Sequence, residues 1–233
     1  MSDPQNTSDT QYTEYAGQHE AIQHEQKHVH DVYQAIAPGF SATRRKPWPS
    51  VVNFLMKQPK GALGLDIGCG NGRHLSVRSD IILIGLDRCE ALVRRTVSAS
   101  NTDVLVGDGL SVPMRPIFDF CLSIAVIHHF STETRRIAAL RALLEVLRPG
   151  GSAYIVVWAL EQADSRRGWD ANDKQDIFVP WKRNEGKGSS EHKERYYHLF
   201  RSGELERCIR TAGGTVIASG FERDNWWAQM GKF

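Results

Sequence analysis

One seven-residue stretch, Asp66-Ile67-Gly68-Cys69-Gly70-Asn71-Gly72, constrains the fold more than any other part of this 233-residue chain. It stands where the apolar run beginning at Leu63 turns from a strand into a helix, and its glycines let the backbone bend tightly and approach a ligand with no Cβ in the way. Further apolar runs follow at Ile81–Leu86, Val104–Val106, Phe118–Ile124 and Ala153–Trp158. Between the last two, Ile137, Leu140, Leu143, Leu144 and Leu147 form one helical stripe, with Ser131 as the expected cap and Arg148-Pro149-Gly150-Gly151 as the stop. Strands apolar without alternation are covered on both faces, so strands alternating with helices predict a doubly wound α/β domain with a mostly parallel sheet.

The flanks are less regular. Residues 1–17 are polar and aperiodic and read as a disordered tail, leaving 18–233 as a single domain. Ile22, Val29, Val32, Tyr33 and Ile36 recur at helical spacing, and Pro38 is expected to end that helix. His24 and His28 lie one turn apart, but with no third ligand in view they read as a solvated face. Lys46-Pro47-Trp48-Pro49 is a rigid elbow before a short helix over Val51–Leu55. Residues 161–194 read as a polar insertion on the substrate side with one apolar knot, Ile177–Trp181. A helix over Leu205, Cys208 and Ile209 and strands at Val216–Ala218 and from Trp226 onward close the chain.

Composition excludes several classes. No stretch has the roughly 18 apolar residues of a membrane span, and the N-terminus lacks the pattern of a secretory signal, so a soluble, cytoplasmic or also nuclear protein is expected. Cys69, Cys89, Cys121 and Cys208 form no C-x-x-C pair, and no metal site is predicted. Lys+Arg number 29 and Asp+Glu 27, but residues 1–30 hold five of the acids and one base, so the body is mildly basic.

The glycine loop selects its ligand by what it lacks. A dinucleotide fingerprint needs glycine where Arg73 stands, and a P-loop needs Gly-Lys-Ser/Thr. The acid Asp66 ahead of the loop disfavours a pyrophosphate and suits a sulfonium or ammonium ligand. Asp87 ends the next strand, where a carboxylate can accept two ribose hydroxyls, and Asp108 follows the third, where it can accept from an adenine amino group.

Through Asp66–Gly72, Asp87, Asp108 and the Leu147–Gly151 turn, the chain resembles class I S-adenosylmethionine-dependent methyltransferases. More narrowly, Tyr33-x-x-Ile36-Ala37-Pro38, Thr43-Arg44-x-Lys46-Pro47-Trp48-Pro49, Ile127-His128-His129, Trp158–Gln162, Ser165–Gly168, Asp176-x-Phe178-Val179-Pro180-Trp181, Arg195–Leu199 and Phe221–Trp227 resemble eukaryotic tRNA wobble-uridine carboxymethyl methyltransferases. The resemblance implies a seven-stranded sheet with N-terminal helices and an insertion after strand 5. It implies methyl transfer to the carboxylate of 5-carboxymethyluridine in the tRNA anticodon loop, and a small zinc-binding activator subunit. The cofactor would be held by Asp66, Gly68, Gly70, Gly72, Asp87, Arg88, Asp108, Gly109 and Ile124. Fungal members often carry a long basic insert where only Lys182 to Glu194 stands here.

A carboxylate is ionised at pH 7 and needs no strong general base, so the site must mainly position it. The loop after the fourth strand, which borders the methyl group in this fold, reads Ile127-His128-His129, without the Asp/Asn-Pro-Pro-aromatic segment of amine methyltransferases. His128, His129, Arg44, Arg223 and Asn225 are the expected catalytic residues, mostly on the resemblance. Lys46, Arg166, Arg167, Trp158 and Trp226 are the expected substrate contacts, although either tryptophan suits the core equally well. An activator strand would add near Val104–Val106, at the edge of the sheet. A small-molecule carboxyl or oxygen methyltransferase and a catalytically silent cofactor-binding scaffold are the competing functions.

Overall fold

The computed structural model describes residues 17–96, 101–162, 165, 167–181 and 193–233; most of the expected tail and Arg166 lie outside them. Among the described residues, nine strands and six α-helices follow one another in chain order. Strands β1 (Leu63–Ile67), β2 (Ile82–Asp87), β3 (Thr102–Val106), β4 (Phe118–Ile124), β5 (Leu147–Trp158), β8 (Thr215–Glu222) and β9 (Asn225–Gly231) form one sheet of order β3-β2-β1-β4-β5-β9-β8. Strands β1 to β5 pair in parallel and β9 runs antiparallel to both neighbours. The doubly wound, seven-stranded, mostly parallel α/β fold is therefore present.

Alternation along the central strands divides the core in two. Leu65, Ile67, Ala153, Ile155 and Val157 face α5 (Glu133–Val146) and α6 (Glu204–Thr211). Phe120, Leu122, Tyr154 and Val156 face Val51, Phe54 and Leu55 of α3 (Pro49–Met56). Gly64 permits this packing, because a Cβ there would fall 2.1 Å from the Phe120 ring. Sheet order leaves β3 at an edge, with Leu105 and Val106 exposed. Among the described residues no helix is long and apolar enough to cross a membrane.

The N-terminal helices run further than expected. Residues 17–25 (α1) are α-helical, Gln26–His30 form a π-helical turn, and α2 spans Asp31–Thr43 with Pro38 inside it. Pro38 and Gln34 are both exposed, so the carbonyl that loses its donor is open to water. The opposite face packs Ala37 against Cys89 and Leu92, the latter in the short helix α4 (Glu90–Val93), and holds the helix together. His24 and His28, with ring centroids 4.7 Å apart, pack against Phe178, and His24 also meets Tyr196. They are an aromatic contact with Phe178 and Tyr196, where a solvated face was expected.

Thr132, and not Ser131, caps α5, its hydroxyl accepting from the Arg135 amide. Ser131 is occupied elsewhere: its amide and hydroxyl both donate to buried Glu25, which also accepts from Arg135 at 2.8 and 2.7 Å and so fastens α1 to α5. The insertion is also more ordered than a polar loop, since β6 (Asp176–Pro180) pairs antiparallel with β7 (Glu194–His198) in a second, two-stranded sheet. Val179 and Tyr197 pack there with Leu160 and Leu199, and His198 ties β7 to β6 and α6 through Asp176 (2.9 Å) and Glu204 (2.7 Å).

Glu25 is 1% exposed, and its removal leaves the Arg135 guanidinium without its carboxylate. Glu25→Ala is expected to lower stability by about 3 kcal/mol, read by urea denaturation, and to make residues 17–43 sensitive to limited proteolysis.

Candidate active site

A cavity of about 270 Å³ opens at the carboxyl ends of β1, β2 and β4. Its first half is built by the loop after β1. Gly68, Gly70 and Gly72 all adopt left-handed φ (81°, 58° and 73°), and a Cβ on Gly68 would lie 2.2 Å from Val126. Asp87 accepts from the Gly70 amide (2.7 Å) and the Cys89 amide (2.8 Å), holding the loop against the end of β2. Asp108 accepts from the Leu110 amide at 2.9 Å and pairs with Arg88 at 3.2 Å, while Arg88 also donates to Gln26 in the π-helical turn. The N-terminal helices thereby become a wall of the cavity, to which Val29, His30 and Tyr33 contribute.

Asp66 is the least satisfied group in this half. It is 1% exposed and neither carboxylate oxygen has a hydrogen-bond partner. Burial pushes its pKa up to about 7, against the opposing pull of Arg73. His74 Nδ1 lies 3.9 Å away but supplies no counter-charge, because burial and Arg73 push its own pKa down to about 3.

The second half carries hydrogen-bond donors and cations. His129 Nδ1 faces the Tyr196 carbonyl (2.8 Å), which can only accept, so Nδ1 carries the proton and Nε2 accepts from the Tyr33 hydroxyl (3.0 Å). His128 takes the other tautomer: its Nδ1 accepts from the Trp158 amide at 3.0 Å, which places the proton on Nε2, a buried atom with no protein partner. Burial, first of all, lowers both pKa values, to about 3 for His129 and well below the usual histidine range for His128, so both rings are neutral. Trp158 stacks on Tyr197 at 4.4 Å, and Arg44 and Arg195 complete this end.

A family described as "Methyltransferase domain" matches residues 65–155. The chain is 46% identical to the tRNA (carboxymethyluridine(34)-5-O)-methyltransferase of Schizosaccharomyces pombe, over 88% of this chain and 96% of that one. It is 40% identical to the protein of that name from Saccharomyces cerevisiae, over 89% and 96%. It belongs to this methyltransferase family. A solved complex between the Haloferax volcanii Trm112 methyltransferase activator and a putative methyltransferase matches the fold with a TM-score of 0.64 at 16% identity, covering 87% of this chain and 96% of that one.

The family's cofactor is S-adenosylmethionine, and the first half of the cavity fits it. The two orphaned Asp66 oxygens suit a cationic methionine end, Asp87 keeps lone pairs for ribose hydroxyls, and Asp108 sits with Arg88 at the far wall. Among the predicted cofactor residues, Gly68, Gly70, Asp87, Arg88, Asp108, Gly109 and Ile124 line the cavity, whereas Asp66 is buried beside its lining neighbours Ile67 and Gly68 and Gly72 shapes the loop from behind. Cys69 and Cys121 offer no nucleophile, since burial raises both thiol pKa values.

The predicted acceptor residues divide. Arg44, His128, His129 and Trp158 line the main cavity. Arg167 lies over the Trp158 ring at 5.2 Å, and Lys46 is exposed away from it. Arg223 and Asn225 line a second cavity with Trp48, Val156 and Trp227 because the tight β8–β9 turn, with Arg223 and Asp224 at positive φ, carries them there. Trp226 is a structural residue: alternation along β9 sends it against Phe221 with its indole N–H on Glu161 (3.0 Å), while Trp227 takes the cavity side. The residues missed are Tyr33, Arg73, Arg195 and Tyr197. The signal for the last two was the alternation in Arg195-Tyr196-Tyr197-His198, which sets arginine and the second tyrosine on one face.

Because Asp66 holds its proton below about pH 7 in the free protein, a cationic ligand must compete with that proton. S-adenosylmethionine affinity, measured by calorimetry, is expected to rise with pH, changing by up to about tenfold per unit on the acid side. Asp66→Asn should bind more weakly and with a flat pH profile. Gly68→Val, which drives a side chain into Val126 at a left-handed φ, should abolish binding in the same assay.

Proposed function

We propose that the chain methylates the carboxylate of 5-carboxymethyluridine at tRNA position 34, giving the methyl ester, as the catalytic subunit of a heterodimer with a small zinc-binding activator. One observation carries the chemistry: the cavity sets an acid-lined cofactor half against an acceptor half of neutral imidazoles and arginines. When bound, S-adenosylmethionine supplies a methyl group on a positively charged sulfur. The acceptor carboxylate has no proton to lose at pH 7, so histidines too weakly basic to remove one suit the reaction. The protein's part is to orient that carboxylate and exclude water. Fixing two reactants in line is worth up to about 7–11 kcal/mol. Tyr33 and Tyr196 lock the His129 ring, the Trp158 amide locks His128, and Trp158 and Tyr197 give a flat stacked wall suited to a base.

The exposed edge strand β3, with Leu105 and Val106, is where the activator would add a strand. A solved structure that shares this fold was determined in complex with a methyltransferase activator.

The chain co-expressed with its activator should convert tRNA bearing 5-carboxymethyluridine into the wobble methyl ester, read by nucleoside mass spectrometry. Turnover on small carboxylic acids without tRNA would favour a small-molecule enzyme, and cofactor binding without any turnover would favour a scaffold. Leu105→Asp combined with Val106→Asp should weaken association with the activator at least tenfold in analytical ultracentrifugation. Strong association of that double variant would refute docking at β3.

A further inference from the structure

The acceptor half contains one buried cation that nothing in the described protein neutralises. Arg195 is 5% exposed and lines the cavity from β7, and its Nε is buried without a partner. Among the described residues no carboxylate lies within ion-pair distance of it. Aromatic residues surround it instead: the guanidinium carbon is 5.2 Å from the Trp181 ring, 5.3 Å from Tyr197 and 5.8 Å from Tyr33, whose hydroxyl accepts one of its hydrogen bonds. Ring faces attract a cation but accept no strong hydrogen bonds, and a guanidinium offers five donors in a fixed fork. A charge desolvated in this way is stable only with a partner. A second unpartnered donor, the His128 Nε2–H, lines the same cavity, and its ring is close enough to feel the Arg195 charge. A planar fork and a lone N–H in one pocket match the two oxygens of one carboxylate.

We propose that Arg195 receives the anionic end of the acceptor, its guanidinium holding the carboxylate of the carboxymethyl arm while His128 Nε2–H donates to the same group. This rests on the function argued above. Arg44, one of the arginines expected from the sequence, is less buried and lies over the Phe40 and Trp181 rings at 5.3 and 5.9 Å. Its place is beside the clamp. The neutrality of His128 fits this division of labour: the ring orients the carboxylate while the arginine carries the charge.

The test separates recognition of the negative charge from turnover. With the activator complex saturated in S-adenosylhomocysteine, binding of the nucleoside 5-carboxymethyluridine is compared with that of its uncharged amide, 5-carbamoylmethyluridine, by ligand-observed NMR. The wild-type complex should prefer the acid at least tenfold. Arg195→Met should erase the preference while S-adenosylhomocysteine affinity stays within twofold, Arg195→Lys should keep part of it, and Arg44→Met should retain it. If Arg195→Met does not fold, the partial loss in Arg195→Lys is the reading. Equal binding of acid and amide by the wild type, or a preference that disappears with Arg44→Met and survives Arg195→Met, overturns the assignment. Methyl transfer to tRNA is measured in parallel: an acid preference without turnover would retain the Arg195 site and remove the proposed function, and turnover without an acid preference would do the reverse.

Discussion

The structure depends on the burial of β1 between β2 and β4. A strand hydrogen-bonded on both edges and covered on both faces cannot yield, so the turn after Ile67 must absorb the whole change of direction, which glycine at left-handed φ does without driving a Cβ into Val126. The same rigidity forces Asp66 into the protein interior at the end of the strand. A carboxylate that could swing toward water would do so; one held in β1 keeps both oxygens dry until a ligand supplies the donors. Cofactor recognition is thus a consequence of where the sheet is stiffest.

The acceptor half is made differently. Its side chains come from α2, the turn after β4, the end of β5 and strand β7, and its order arises from contacts among them. The Tyr196 carbonyl fixes the proton on His129, His129 fixes the Tyr33 hydroxyl, and Tyr33 lies against Tyr197 (hydroxyls 3.3 Å apart) and Arg195. The β7 strand that carries Arg195 is held through His198. Burial would raise the Glu204 pKa, but donors from His198, the Arg201 amide and Gln175 bring it down to about 2, so the tie to α6 stays charged. Movement of any one of these segments disturbs the whole acceptor wall.

This difference explains what could be read in the sequence. The cofactor half is legible because each of its residues sits at a strand end, and apolar runs mark strand ends directly: Asp66, Asp87 and Asp108 were found that way. Thr132 was missed as a cap because Ser131 has the same chemistry, and only the long-range contact with Glu25 separates them. Pro38 misled because proline's effect on a helix depends on which side faces water, which no local pattern states. Trp226 and Trp227 differ by one residue in register, and in a strand one residue is the difference between two faces. Arg195 was hidden by the general rule that arginine is solvated. Its burial arises from Tyr197, two residues on in the same strand, and from Trp181 and Tyr33, which are adjacent to it only in three dimensions.

The two halves also act on each other through charge. Asp66 and Arg73 influence one another across the glycine loop, Arg73 is repelled by Arg44, and Arg195 helps keep His128 neutral. An unsatisfied acid thus lies buried behind one end of the cavity and an unsatisfied cation lines the other, and each is left incomplete by the described protein alone. A cationic ligand at Asp66 and an anionic one at Arg195 would each supply what the fold withholds, and together they would bring opposite charges toward one another between the two walls. For a reaction that joins a carboxylate to a methyl group on a sulfonium, this is the required sense of polarity, and it cancels charge as the bond forms. An amine acceptor would bring a further positive charge or a proton to be removed into a wall that already holds Arg195 and lacks a base. The same features that favour a carboxylate thus exclude the commoner class of base methylation.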